Sequence, residues 1–168
     1  MTIPPSTKIL LTALLTLSLS GCGDIYRYFR SGEVGWTLKR ELRNKHAEKV
    51  ELVKLTRFVW DELFLFGPYE PASHVCKKLG LSSSDCTSTI TATSIDEGKI
   101  LMVFRNSGKI VHNEMHLRWH GDFSPIPDAP LTPQTAVFTV SVQGKGASGE
   151  DWLILRPVST ERRGLPCT

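Results

Sequence analysis

Long apolar runs are scarce in this 168-residue chain, and the longest predominantly apolar one, Ile9 to Leu19, falls short of the ~20 residues a membrane-spanning helix needs. Charge of one sign is scarce too. The formal net charge is +3, it is spread along the chain, and no long basic block is present. That balance makes no case for a nucleic-acid partner, although a pI near 8.7 permits loose contact with anionic surfaces. No internal repeat is found. The chain has no Gly-x-Ser-x-Gly elbow, no His-Glu-x-x-His and no cysteine in a nucleophile context, so the commoner hydrolase and zinc-protease signatures are missing.

What is there begins at the N-terminus. Lys8 is the only charged side chain before Ile9–Leu19, a run of signal-peptide length. Leu19-Ser20-Gly21-Cys22 follows directly. With these residues the chain resembles bacterial lipoproteins, whose lipobox reads Leu-x-Gly-Cys. The resemblance implies that residues 1–21 are removed as a signal peptide, that Cys22 is acylated, and that the partner held by those chains is a lipid bilayer. Each buried CH₂ contributes ~0.8 kcal/mol, and two or more chains anchor a protein where one does not. Gly23, not aspartate, follows the cysteine, and Asp24 comes one place later. Within the resemblance this implies the periplasmic face of the outer membrane.

Removing residues 1–21 from 168 leaves 147, enough for one domain with its own core. Residues 22–36 read as a lipidated tether, 37–158 as a single domain and 159–168 as a polar tail. The tether holds Tyr26, Tyr28, Phe29 and Trp36, which either rest at a lipid interface or begin the fold. With Cys22 given to lipid, Cys76, Cys86 and Cys167 remain, an odd number for an oxidising compartment. Cys76 with Cys86 is favoured because the loop between them is short and polar. A bridge from either to Cys167 is the alternative.

Along the domain, Thr37 to about Val50 predicts an amphipathic helix with Thr37 as its N-cap and a basic, solvated outer face. Phe58 to Phe66, FVWDELFLF, predicts a buried strand ended by Gly67-Pro68. Pro71 opens a short helix carrying Ala72, Val75, Cys76 and Leu79, and Gly80 stops it. Ser82–Asp85 reads as a loop. Lys99–Arg105 and Lys109–Trp119 form a hairpin across Asn106-Ser107-Gly108. A proline-rich connection, 124–133, leads to a second hairpin, Ala136–Val142 with Trp152–Arg156. Gly144 to Gly149 fits Gly-x-Gly-x-x-Gly, yet a strand follows it instead of a helix, so it reads as the hairpin loop. These elements predict an α+β fold: an antiparallel sheet of about five strands with one or two helices packed on one face.

HNEMHLRWH, His112 to His120, draws attention as a metal-site candidate. Read as a strand, its odd positions from Val111 are mostly apolar, while His112, Glu114, His116, Arg118 and His120 are all polar. Strand positions two apart lie ~7 Å apart and positions four apart ~13 Å apart, so the three histidines cannot share one ion on a straight strand. The row therefore reads as a solvated face, with no metal and no cofactor. His74 on the short helix is the conceivable outside donor. Asp61, Glu62 and Asp122 read as strand-face and turn residues; an acid–base pair would need Asp61 and Asp122 to meet in a cleft.

FVWDELFLFGPYEP, Phe58 to Pro71, and LMVFRNSGKIVHNE, Leu101 to Glu114, are similar to small secreted or lipid-anchored bacterial proteins with an aromatic Trp-Asp strand and a Gly-Pro-Tyr turn. Trp60, Asp61, Pro68 and Tyr69 are the residues of that likeness, and it implies no activity. The expected role is a non-catalytic module that binds an envelope protein. Its possible surface comprises Trp60, Asp61, Tyr69, His112, Glu114, His116, His120 and Asp122. Two other roles stay open: an inhibitor or immunity-type protein working through Ser82–Asp85 or 124–133, and a hydrolase built on Asp61, Asp122 and a histidine.

Overall fold

The computed structural model describes residues 32–158. The expected signal peptide, Cys22, most of the tether, Cys167 and the tail lie outside them. The described residues form three α-helices and seven strands, an α+β fold. In chain order they are α1 (Glu33–Asn44), β1 (Lys49–Glu51), β2 (Glu62–Phe66), α2 (Ala72–Leu79), α3 (Ser83–Thr89), β3 (Lys99–Asn106), β4 (Lys109–Leu117), β5 (Asp122–Phe123), β6 (Val137–Lys145) and β7 (Asp151–Pro157). Single 3₁₀ turns fill Leu52–Lys54 and Arg118–His120.

The strands divide into two sheets instead of one sheet of about five. One is an antiparallel triplet, β2-β3-β4, and the other has the order β1-β6-β7-β5. In the second sheet β5 runs parallel to β7, while β1, β6 and β7 pair antiparallel. The main core lies between the sheets. There Leu38 and Leu42 of α1 meet Leu63, Met102 and Phe104 of the triplet and Phe123, Phe138 and Leu155 of the other sheet. The far face of the triplet presents Phe64, Phe66, Leu101 and Val103 to Val75, Cys76 and Leu79 of α2. Both faces of β2 and β3 are therefore covered. That is why ELFLF and ILMVF are continuous apolar runs where a half-exposed strand would alternate.

The turn between β3 and β4 puts Ser107 at φ 51° and Gly108 at φ 75°, the left-handed pair that a two-residue hairpin requires. A register shift between Phe104 and Arg105 bulges Val111 out of β4. Beyond it, His112 pairs with Phe104, Glu114 with Met102 and His116 with Ile100. These partners face the main core, so the even positions of β4 do too.

The helix expected from Thr37 to Val50 begins four residues earlier and ends sooner. Gly32 is its N-cap and Lys45 its C-cap. His46, at φ 51°, then turns the chain, and Val50 is buried as part of β1 against β6. Trp36, placed in the tether by sequence, belongs to the helix. The strand expected from Phe58 begins only at Glu62. Upstream, Phe58 and Trp60 stack edge-on against Phe104 instead of pairing their backbones.

The short helix from Pro71 to Gly80 forms as expected, with Gly80 at φ 66° closing it. Ser82–Asp85 is not a loop. The Ser82 hydroxyl accepts the Asp85 N–H at 3.2 Å and caps α3. Cys76 and Cys86 are disulfide-bonded, with Cα atoms 5.6 Å apart, and tie α3 to α2. In the proline-rich connection, Leu131 exchanges two backbone hydrogen bonds with Leu63 and covers the outer edge of β2.

Candidate functional site

The polar row of β4 was expected to face water. It is buried: Glu114, His116 and His120 all lie in the interior. The reason is tertiary, since α1 crosses this face and its backbone needs partners there. The first N–H groups of a helix have no acceptor within the helix, and the helix end carries partial positive charge. Glu114 supplies both an acceptor and a negative charge. Its carboxylate accepts the N–H of Val34 at 3.1 Å and that of Gly35 at 2.7 Å. Close approach depends on Gly32, where a Cβ would overlap the Glu114 side chain. The Gly32 N–H also donates to the Met115 carbonyl at 3.2 Å, so β4 receives this end of the helix twice.

Glu114 meets His112 as well, with Nε2 2.7 Å from Oε2. The His112 ring is held between Phe58 and Phe104, its centroid 4.7 Å and 5.8 Å from theirs. Further along, the His116 Nε2 lies 2.6 Å from the Gly121 carbonyl. A carbonyl only accepts, so Nε2 holds the proton. Nδ1 is then bare, and it has no hydrogen-bond partner among the described residues. Burial lowers the His116 pKa, and the bond to Gly121 opposes this without cancelling it.

His120 is not on the strand. It sits in the 3₁₀ turn after it, between Trp36 and Trp119, with ring centroids 5.5 Å and 4.1 Å away. Its pKa is pushed down to about 3, first by burial and then by His116, Lys39 and Arg43. Asp122, two residues further on, is buried and fully engaged. Arg118 donates to both its oxygens at 2.8 Å, and the Trp152 indole donates at 3.2 Å. The bond to Asp122 is also the chief reason the Arg118 pKa is raised.

The remaining sequence candidates scatter. Asp61 stands at the tip of the β3–β4 hairpin, where its carboxylate accepts the Ser107 N–H at 2.7 Å. Asp122 lies past the other end of β4, about 30 Å away by strand rise. An Asp61–Asp122 acid–base pair therefore does not form. Trp60 is a core residue that donates to the Thr56 hydroxyl at 3.0 Å. Tyr69 is exposed on its turn at φ 66°. His74 is remote from this row and pairs with Glu70 at 2.9 Å. Among the described residues no three His, Cys, Asp or Glu gather as a metal ion would need, and no helix is long and apolar enough to cross a membrane.

A surface that sequence reasoning missed lies over His120. The Lys39 ammonium stands 4.8 Å from the Trp36 ring and 4.2 Å from the Trp119 ring. Arg43 donates to the Trp119 carbonyl at 2.8 Å. Arg43, Trp119 and Trp152 also line a cleft of about 480 Å³, together with the Gly146–Ser148 loop. Trp36, Lys39, Arg40 and Arg43 fall at helical spacing on one face of α1. A helix begun at Thr37 leaves Trp36 outside it and splits that signal.

Comparison with family models, curated proteins and solved structures finds no match to this chain.

Proposed function

We propose that this protein is a lipid-anchored component of a bacterial envelope, held at the periplasmic face of the outer membrane by acylated Cys22, and that its folded body is a non-catalytic binding module for an envelope protein. The lipobox Leu19-Ser20-Gly21-Cys22, set directly behind a signal-length apolar run, is the observation on which the proposal stands. Two features of the body support it. The Cys76–Cys86 bridge suits an oxidising compartment. The carboxylates that a hydrolase would use are already committed: Glu114 to a helix end, Asp122 to Arg118, Asp61 to a turn.

The test is mass spectrometry and fractionation of the protein from cells. Acylated Cys22 at the N-terminus, with membrane association lost in Cys22→Ser, is the expected result. An intact leader with no fatty acid, or full membrane recovery of Cys22→Ser, refutes the anchor.

A further inference from the structure

We propose that the outer face of α1, together with Trp119, lies against the surface of an anionic phospholipid bilayer. This rests on the lipid-anchor reading for the proximity it supplies, and on the geometry of α1 for the rest.

Leu38 and Leu42 bury one side of the helix. The opposite side presents Trp36, Lys39, Arg40 and Arg43, which recur at three- and four-residue steps and therefore share one stripe. Trp36 is 53% exposed and Trp119 40%, large values for indoles. Lys39 lies over both rings and joins them into one aromatic and cationic surface. Tryptophan favours the headgroup level of a bilayer, where its ring is shielded and its N–H still meets water.

The charges point the same way. Among the described residues, no ion pair includes Lys39, Arg40 or Arg43. The nearby acids of α1 are used elsewhere: Glu41 pairs with Lys45 at 2.7 Å and Glu33 with Arg57 at 3.5 Å. Glu150 and Asp151 line the neighbouring cleft with Arg43, and Asp151 pairs with Lys145, so the cationic surplus of the stripe rests on Lys39 and Arg40. That surplus suits an anionic headgroup layer and not a neutral one. Chain connectivity adds a limit. Gly32 is ten residues beyond Cys22, and ten residues span at most about 35 Å. An acylated Cys22 therefore keeps Gly32, the N-cap of α1, within that distance of the membrane.

The experiment uses the lipidated mature protein reconstituted into vesicles of phosphatidylethanolamine and phosphatidylglycerol whose acyl chains are brominated near the headgroup. Bromine quenches nearby indoles. Quenching of the wild-type emission is expected, with most of it lost in Trp36→Phe/Trp119→Phe and little of it lost in Trp60→Phe. Lys39→Gln/Arg40→Gln removes two charges and should shift the docked-to-undocked ratio about thirty-fold. Thermal melts by circular dichroism show that each variant is folded. No quenching beyond the double-Phe level, in protein shown by mass to be acylated, overturns the docking and leaves the anchor standing. Equal quenching in wholly zwitterionic vesicles overturns it too, as does an unchanged ratio in the double-Gln variant. If Cys22 proves unacylated, the anchor has failed on its own. The same quenching measured on the unacylated protein mixed with these vesicles then decides the docking.

Discussion

The Glu114 carboxylate accepts the Gly35 N–H at 2.7 Å, bridging 79 residues of chain to cap a helix from a neighbouring strand. Most caps come from the residue next to the helix; this one belongs to β4. Glu114→Gln keeps the shape and removes the charge. Charged hydrogen bonds contribute about 1.5–3 kcal/mol each and neutral ones less, so a loss of about 1–2 kcal/mol is expected in urea unfolding. Glu114→Ala strands two N–H groups and should lose more. Because His112 leans on the same carboxylate, the His112→Gln and Glu114→Gln effects should sum to more than the double variant loses.

His116 and His120 make the fold acid-sensitive. In the unfolded chain both rings take up protons near pH 6.5, whereas in the folded chain burial keeps them neutral to lower pH, for His120 down to about 3. Below pH 6.5 the unfolded state therefore binds more protons. Stability is complete above that pH and declines as pH falls toward 3, by up to about 1.4 kcal/mol per pH unit for His120, with His116 adding in the same direction. Urea midpoints between about pH 7.5 and 5 should show the slope, and His120→Gln should flatten it. A level profile over that range excludes this account.

The Cys76–Cys86 bridge closes a loop with a sequence separation of 10. By chain entropy that is worth roughly 2–3 kcal/mol. Reductant should lower the unfolding free energy by that amount, read as a lower urea midpoint at unchanged slope. Because α2 packs on only the far face of the triplet, exchange protection should fall first in residues 72–90 and leave α1 unchanged.

Gly121 has φ +148°, and a Cβ there would overlap Leu42 and press Leu155 at 3.2 Å. Both leucines are buried in the main core. Gly121→Ala should destabilise by about 2–3 kcal/mol in denaturant titration. Gly98→Ala, where nothing stands within 4 Å, is the matched control and should be near neutral.

The elements whose signals are local were legible in sequence. Pro71 and Gly80 bracket α2, Ser107-Gly108 marks the first hairpin, and the alternation of β4 is real. What sequence could not supply was orientation. Alternation says that two faces differ, not which of them is covered, and the polar face of β4 is the covered one because α1 needs its carboxylate. The start of α1 was missed for the same reason: its cap is distant in the chain, so no local residue announces it. Ser82 was a local signal misjudged, because a capping serine and a loop serine look alike until Asp85 is seen to answer it.

The last strand, β7, stands between β6 and β5 and buries Ile154 and Leu155. Among the described strands it is also the last in the chain. A product that stops short of it takes Leu155 out of the core it shares with Phe123 and Phe138 and splits the sheet in two. A chain cut before Asp151 should therefore be not a slightly shortened protein but a substrate for proteolytic clearance.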